Sequence, residues 1–144
     1  MNRIFTFFGS LLLFLLLATP MHSATDLEAL VNRQAKAWET QDLTTLVEDF
    51  ADDAVFIATG FTFTGKAEIE KAAADYFRDF KDTKVTIKRT VYQDNKGAVE
   101  WDWSDRKKSN DQPSAAEDAI VFELNSEGKI IYWREYIEKV EPAT

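Results

Sequence analysis

The sequence predicts an α+β fold, three N-terminal helices packed on a mixed, mainly antiparallel β-sheet, and three observations lead to it. Between residues 25 and 81, apart from the strand-like segments 54–58 and 61–64, the apolar residues recur every three or four positions, the spacing of amphipathic helices. From Thr83 the period changes to two, the spacing of half-buried strands. Short runs of turn residues, Thr59-Gly60, Asp94-Asn-Lys-Gly97 and Asn125-Ser-Glu-Gly128, separate the periodic stretches, with no repeat or low-complexity linker.

Ahead of the first helix lie Met-Asn-Arg, the apolar run Ile4 to Ala18, Pro20 and the small pair Ser23-Ala24, the layout of a secretory signal peptide. The run is short for a bilayer and contains Gly9 and Ser10, so an uncleaved anchor is the weaker reading. Residues 1–24 are therefore expected to be removed near Ala24. That leaves one domain, residues 25–144, secreted or periplasmic and without stable membrane insertion.

Composition excludes several chemistries. Seventeen basic residues against 25 acidic ones give a net charge of −8, and loss of Arg3 with the leader deepens it. Such a chain repels phosphate backbones and anionic lipids, which argues against nucleic acid and membrane-surface partners, although solubility alone explains the charge equally well. There is no cysteine, hence no disulfide, thiolate nucleophile or thiolate metal site. The single histidine, His22, lies in the leader, so the mature chain has no imidazole for base catalysis or metal binding, and neither metal nor cofactor is expected. Proton chemistry falls to carboxylates, Tyr, Lys or bound water.

Thr25-Asp-Leu-Glu28 has the form of a capping box, followed by Leu27, Leu30, Val31, Gln34 and Trp38 at helical spacing. Asp42 is placed to cap a short second helix with Leu43, Leu46, Val47 and Phe50 as its stripe, ended by Asp52-Asp53 before a strand from Ala54 to Ala58. Phe61-Thr-Phe63-Thr alternates, and Gly65 opens a third helix whose apolar face is Ile69, Ala73, Tyr76, Phe77 and Phe80. Val85, Ile87, Arg89 and Val91 share one face of the next strand, which puts Arg89 on the apolar side. Val99, Trp101 and Trp103 share a face of the strand after it, and residues 106–114 read as a polar loop. The last two segments form a hairpin, Ile120, Phe122 and Leu124 sharing a face with Asp118, and Ile131, Trp133 and Ile137 with Glu135. The four-residue turn predicts Phe122 opposite Ile131, Ile120 opposite Trp133, and Asp118 opposite Glu135.

Gln41-Asp-Leu running into Asp49-Phe-Ala-Asp-Asp-Ala-Val-Phe56, then Gly65-Lys-Ala-Glu-Ile69, then Gly128-Lys-Ile-Ile-Tyr-Trp-Arg-Glu-Tyr136 together resemble the SnoaL-like, or nuclear transport factor two-like, superfamily, which includes the ketosteroid isomerases. The resemblance implies a strongly curved sheet closed by helices into a cone with an internal pocket. It does not imply one activity, because the superfamily holds isomerases, cyclases, dehydratases, epoxide hydrolases and non-catalytic binders. The ketosteroid isomerase oxyanion Tyr, base Asp and protonated Asp fall at Gln34, Ala58 and Ile120, and none is kept. The limonene epoxide hydrolase set falls at Phe56, Ala58, Trp101, Trp103 and Glu135, and only Glu135 retains a carboxylate.

Glu135 and Asp118 are accordingly the candidate catalytic pair. Two neighbouring carboxyls on an apolar face raise one another's pKa and share a proton, which suits acid–base work on a bound molecule at neutral pH. Solvation of Asp118 at its strand end, or an ion pair between Arg89 and Glu135, would make the same residues structural. Trp38, Phe56, Phe61, Phe63, Tyr76, Trp101, Trp103, Ile120, Phe122 and Trp133 are candidates to line a pocket for an apolar small molecule, with plain core packing as the alternative. Tyr132, Arg134 and Tyr136 fall on the opposite side of the last strand, exposed to solvent or forming a homodimer face. Non-catalytic ligand binding or carriage, and assembly through that face, stand beside catalysis.

Overall fold

The computed structural model describes residues 23–142 and contains three helices and six strands in the order α1 (Ala24–Thr40), α2 (Leu43–Glu48), β1 (Phe50–Ala58), β2 (Phe61–Thr64), α3 (Lys66–Asp79), β3 (Phe80–Gln93), β4 (Lys96–Lys107), β5 (Pro113–Leu124) and β6 (Ile130–Val140). Of the expected leader, residues 1–24, residues 1–22 lie outside the described residues, whereas Ser23 and Ala24 cap and begin α1. Only α1 and the six-residue α2 precede the sheet. The third helix comes after the β1–β2 hairpin, so the helices are not consecutive as a simple helices-then-strands reading implies.

The strands form one mixed sheet in the order β2-β1-β6-β5-β4-β3, antiparallel throughout except for the parallel pair β1–β6. That pair joins the N-terminal hairpin to the β3–β6 meander. Alternate residues of β4, β5 and β6 are buried, and these define an inner face covered by the helices and an outer face.

Helix α1 buries Leu27, Leu30, Val31, Gln34, Ala35, Ala37 and Trp38. Each fully buried aliphatic side chain there contributes about 1.5–3 kcal/mol. Its cap is one turn-edge earlier than the sequence suggests. Ser23 and Asp26 form the capping box in place of Thr25 and Glu28, because Ser23 Oγ accepts from the Asp26 amide while the Asp26 carboxylate accepts from the Ser23 amide. Asp42 caps α2 as expected, accepting from the Thr45 amide at 3.0 Å. Gln34 is the polar exception in the stripe, and its amide nitrogen donates to the Leu46 carbonyl at 3.0 Å and to Asp49 Oδ2 at 2.8 Å. Arg33 clasps the same carboxylate through Nε and Nη2, so buried Asp49 ties α1 to the end of α2.

Three irregularities in the strands change what the period-two pattern predicts. Strand β1 begins at Phe50, so Asp52 and Asp53 do not end a helix. The ladder with β6 jumps from Phe50–Ile130 to Val55–Tyr132, and the residues between bulge, leaving both carboxylates exposed. Lys88 is an extra residue in β3 between the pairs Ile87–Trp101 and Arg89–Glu100. The bulge turns Arg89 onto the outer face, where it meets Glu100 at 3.7 Å; it is not on the apolar side and does not pair with Glu135. In the closing hairpin Leu124 pairs with Ile130, and Ile131 is extra before Glu123–Tyr132 and Phe122–Trp133. The cause is tertiary: the Ile130 amide donates to the Asp49 carbonyl at 2.8 Å and its side chain is fully buried.

Strand β4 runs through Lys107 and β5 starts at Pro113, so the expected polar loop is shorter than residues 106–114. Pro113 at the first position of a strand withholds no ladder donor that the interior needs. Gly97 sits in the inner-face row Tyr92–Gly97–Phe122. A Cβ there would lie 2.4 Å from the Phe122 ring and 2.9 Å from Tyr92, so only glycine lets these rings meet across the strand.

Candidate functional site

Successive rows cross the inner face. Phe63, Phe56, Trp133, Phe122 and Gly97 form one, Ile137, Asp118, Trp101 and Ile87 another, and Ala116, Trp103 and Val85 lie beyond it. Glu135 stands between the first two, opposite Ile120. The register is two residues away from the sequence expectation, so Asp118 faces Ile137 and not Glu135. Because the slip is even, both acids stay on the inner face, as diagonal neighbours roughly 7 to 8 Å apart at Cα.

Each carboxylate accepts one indole N–H. Trp101 Nε1 donates to Asp118 Oδ2 at 3.1 Å across the β4–β5 ladder, and Trp133 Nε1 donates to Glu135 Oε1 at 3.0 Å along β6. Asp118 is 6% exposed, and its other oxygen, Oδ1, is buried without a hydrogen-bond partner. Burial pushes the Asp118 carboxyl up to about 6, partly offset by the indole of Trp101. Burial likewise pushes Glu135 up to about 8; the Trp133 indole opposes this and the charge of Asp118 adds to it. Between these values the pair holds one proton in total. Exposure increases along β6 from buried Trp133 through half-buried Glu135 and Ile137 to exposed Lys139, so the acids lie toward the open end of the inner face.

A third acid of the inner face, Asp105, is not among the candidates read from the sequence. Asp105 is buried and accepts from Tyr76 Oη at 2.7 Å and Trp103 Nε1 at 3.0 Å on one oxygen, and from Ser114 Oγ on the other. Thr83 Oγ1 completes the cluster at 3.1 Å from Tyr76 Oη. Burial, with the Asp105 charge adding to it, raises the Tyr76 phenol well above its ordinary value. The sequence signal was present: Asp105 shares its parity with Trp101 and Trp103, and the spacing Trp103-x-Asp105 repeats that of Trp133-x-Glu135. All of its donors are matched, and this cluster locks α3 to β3 and β4.

The aromatic candidates form one connected set. Phe61 stacks on Phe63, Phe63 meets Phe56, and Phe50 links Phe56 to Trp133. Trp133 lies 6.0 Å from Trp101 and 5.5 Å from Phe122. Trp103 joins Trp101 to Trp38 and Tyr76, with ring separations of 6.2, 5.6 and 5.6 Å. Trp38, Phe56, Trp101, Ile120, Phe122 and Trp133 are buried, Phe63, Tyr76 and Trp103 are half-buried, and Phe61 on edge strand β2 is 65% exposed. Among the positions the resemblance marks, Gln34 is committed to Asp49 and Ile120 is fully buried.

The outer face carries different chemistry. Arg134 lies 4.7 Å above the Tyr136 ring, and Asp102, Glu117 and Glu138 stand directly opposite one another across β4, β5 and β6. An open groove of about 810 Å³ is bordered there by Lys88, Arg89, Glu100, Asp102, Glu117, Tyr136 and Glu138, and it reaches the Trp101–Asp118–Ile137 row. A smaller apolar groove of about 360 Å³ includes Val91, Ala98, Val121 and Tyr132. Among the described residues no helix is long and apolar enough to cross a membrane.

A mixed six-stranded sheet with helices over one face makes this an α+β domain with a ketosteroid isomerase-like fold. The chain belongs to the SnoaL-like domain family, whose model matches residues 31–133. It superposes on a hypothetical protein with ketosteroid isomerase-like fold from Catenulispora acidiphila, in complex with trimethylamine (23% identity, 74% of this chain, 83% of that one, TM-score 0.68). An LEH-like epoxide hydrolase from M. tuberculosis is similar at 20% identity over 79% and 84% of the two chains, with TM-score 0.70. A ketosteroid isomerase-like protein from Erwinia carotovora is similar at 18% identity over 82% and 96%, with TM-score 0.67. At these identities the likeness is one of fold. No curated protein matches the chain.

Proposed function

We propose that this SnoaL-like domain is exported, binds a small molecule with an apolar body at the open end of its inner face, and moves a proton on it with Glu135 and Asp118. The observation that carries the reading is the carboxyl pair: two acids on one apolar face, each raised by burial and each held by one indole N–H. A pair holding one proton supplies both an acceptor and a donor at neutral pH. Half-buried Glu135 holds the pair's proton at neutral pH and is the member that meets the ligand, giving that proton as acid and taking one back as base once ionised, with deeply buried Asp118 as its ionised proton partner. Isomerisation, cyclisation, elimination and water addition all need no more than this.

Native mass spectrometry of the protein recovered from the exported fraction tests the binding, with a mass increment of a small organic molecule expected. Glu135→Gln is expected to abolish turnover of that molecule while leaving the tryptophan near-UV circular dichroism unchanged. Full activity of this variant overturns the catalytic assignment. The pH profile of kcat/KM is expected to be bell-shaped, with limbs near the two carboxyl values.

A non-catalytic binder is the second reading, favoured by the replacement of the marked positions with Gln34, Ala58 and Ile120. It predicts binding with no conversion on prolonged incubation. On the outer face, the apolar groove beside Val121 and Tyr132 and the exposed Tyr136 support a homodimer contact.

A further inference from the structure

The polar groups around the pair are arranged to accept hydrogen bonds. Trp101 and Trp133, the rings beside the two acids, have already spent their single N–H donors on Asp118 and Glu135. Neither carboxyl is lowered by a neighbouring cation among the described residues. Arg89 is drawn to Glu100 and Arg134 to Tyr136, both on the outer face, and Lys139 is exposed beyond Ile137. What remains unmatched is an acceptor: Asp118 Oδ1, buried with no partner, in a residue 6% exposed. An unmatched buried oxygen is costly and is satisfied by a donor on whatever binds beside it.

The two indoles have no N–H to spare for a carbonyl or epoxide oxygen, which leaves such a substrate the one carboxyl proton, whereas a cation meets the full charge of the ionised carboxylate. With one proton shared, the pair carries a single negative charge, which a single positive charge complements. Resting on the ligand-binding reading above, we propose that the ligand is a protonated amine on an apolar body, its N–H donating to Asp118 Oδ1 and its apolar part lying against half-buried Trp103 and Ile137 toward the open end of the inner face.

The test is isothermal titration calorimetry at pH 7 of the protein recovered from expression of the full chain, with four probes of similar size: phenethylamine, 2-phenylethanol, phenylacetone and phenylacetate. Phenethylamine is expected to bind about 10- to 100-fold more tightly than 2-phenylethanol, the scale of one charge-assisted hydrogen bond, and phenylacetate not at all. Asp118→Asn is expected to reduce the amine's preference at least about tenfold while leaving 2-phenylethanol within about threefold. If that variant does not fold, the native protein titrated at pH 5, where Asp118 is protonated, is expected to lose the same preference, and a preference unchanged from pH 7 overturns the inference. Phenylacetone or phenylacetate binding as tightly as the amine overturns this inference and leaves the pocket reading standing. Failure of all four probes to bind overturns both.

Discussion

Substituting Glu135 by Gln should stabilise the fold, and by an amount that depends on pH. In the unfolded chain this carboxyl has its ordinary value of 4.5, and in the folded protein burial raises it to about 8. Below pH 4.5 both states hold the proton and Glu135 costs nothing. As pH rises from 4.5 to 8 the unfolded chain releases the proton while the folded one keeps it, so stability falls through that window and levels off above it. At 1.36 kcal/mol per pH unit the full window corresponds to roughly 5 kcal/mol, and the partial exposure of Glu135 reduces this to about 2–4 kcal/mol. Glutamine does not titrate, and its carbonyl oxygen can still accept the Trp133 indole N–H that Glu135 Oε1 now accepts at 3.0 Å. The variant and the native protein should therefore be matched within about 1 kcal/mol at pH 4.5 and diverge toward pH 9, equivalent to roughly 10 °C in Tm for a domain of this size. Urea and thermal unfolding followed by tryptophan fluorescence at pH 4.5, 7 and 9 measure it. A stability difference that stays flat across these three values would refute the claim that Glu135 is strained by burial.

Gly97→Ala should destabilise by about 1–3 kcal/mol, since the added methyl enters the Phe122 ring at 2.4 Å; a variant unfolding at the native urea midpoint would contradict that packing. Asp49→Ala removes the acceptor shared by Arg33 and buried Gln34 and should cost about 2–3 kcal/mol in the same assay, whereas a change below about 0.5 kcal/mol would show the clasp to be idle. On the outer face Glu117→Lys breaks the row of Asp102, Glu117 and Glu138 and should gain about 0.5–1 kcal/mol at low salt, shrinking in 1 M NaCl. Replacing Tyr132 and Tyr136 together by Ser should leave a monomer in sedimentation velocity; an intact dimer would move the contact elsewhere.

Much of this architecture is legible in the sequence because strand side chains alternate strictly. Parity alone places Val99, Trp101 and Trp103 on one face, and likewise Trp133 with Glu135, and these assignments hold in the structure. The helical stripes of α1 and α3 are equally plain, since Leu27, Leu30, Val31 and Trp38 and then Ile69, Ala73 and Phe77 are buried. Only tertiary structure decided the registers. The inserted residues at Lys88 and Ile131 follow no local motif: the first moves Arg89 outward, and the second, added to a turn one residue longer that pairs Leu124 with Ile130, sets Asp118 diagonal to Glu135. Ile131 bulges because Ile130 is claimed by the carbonyl of Asp49, about eighty residues earlier in the chain. The unmatched oxygen of Asp118 has the same origin: it depends on where the Trp101 ring, brought in from the neighbouring strand, points its single N–H. Alternation is a property of each strand and is written locally, whereas register and hydrogen-bond matching are set by contacts between segments far apart in sequence.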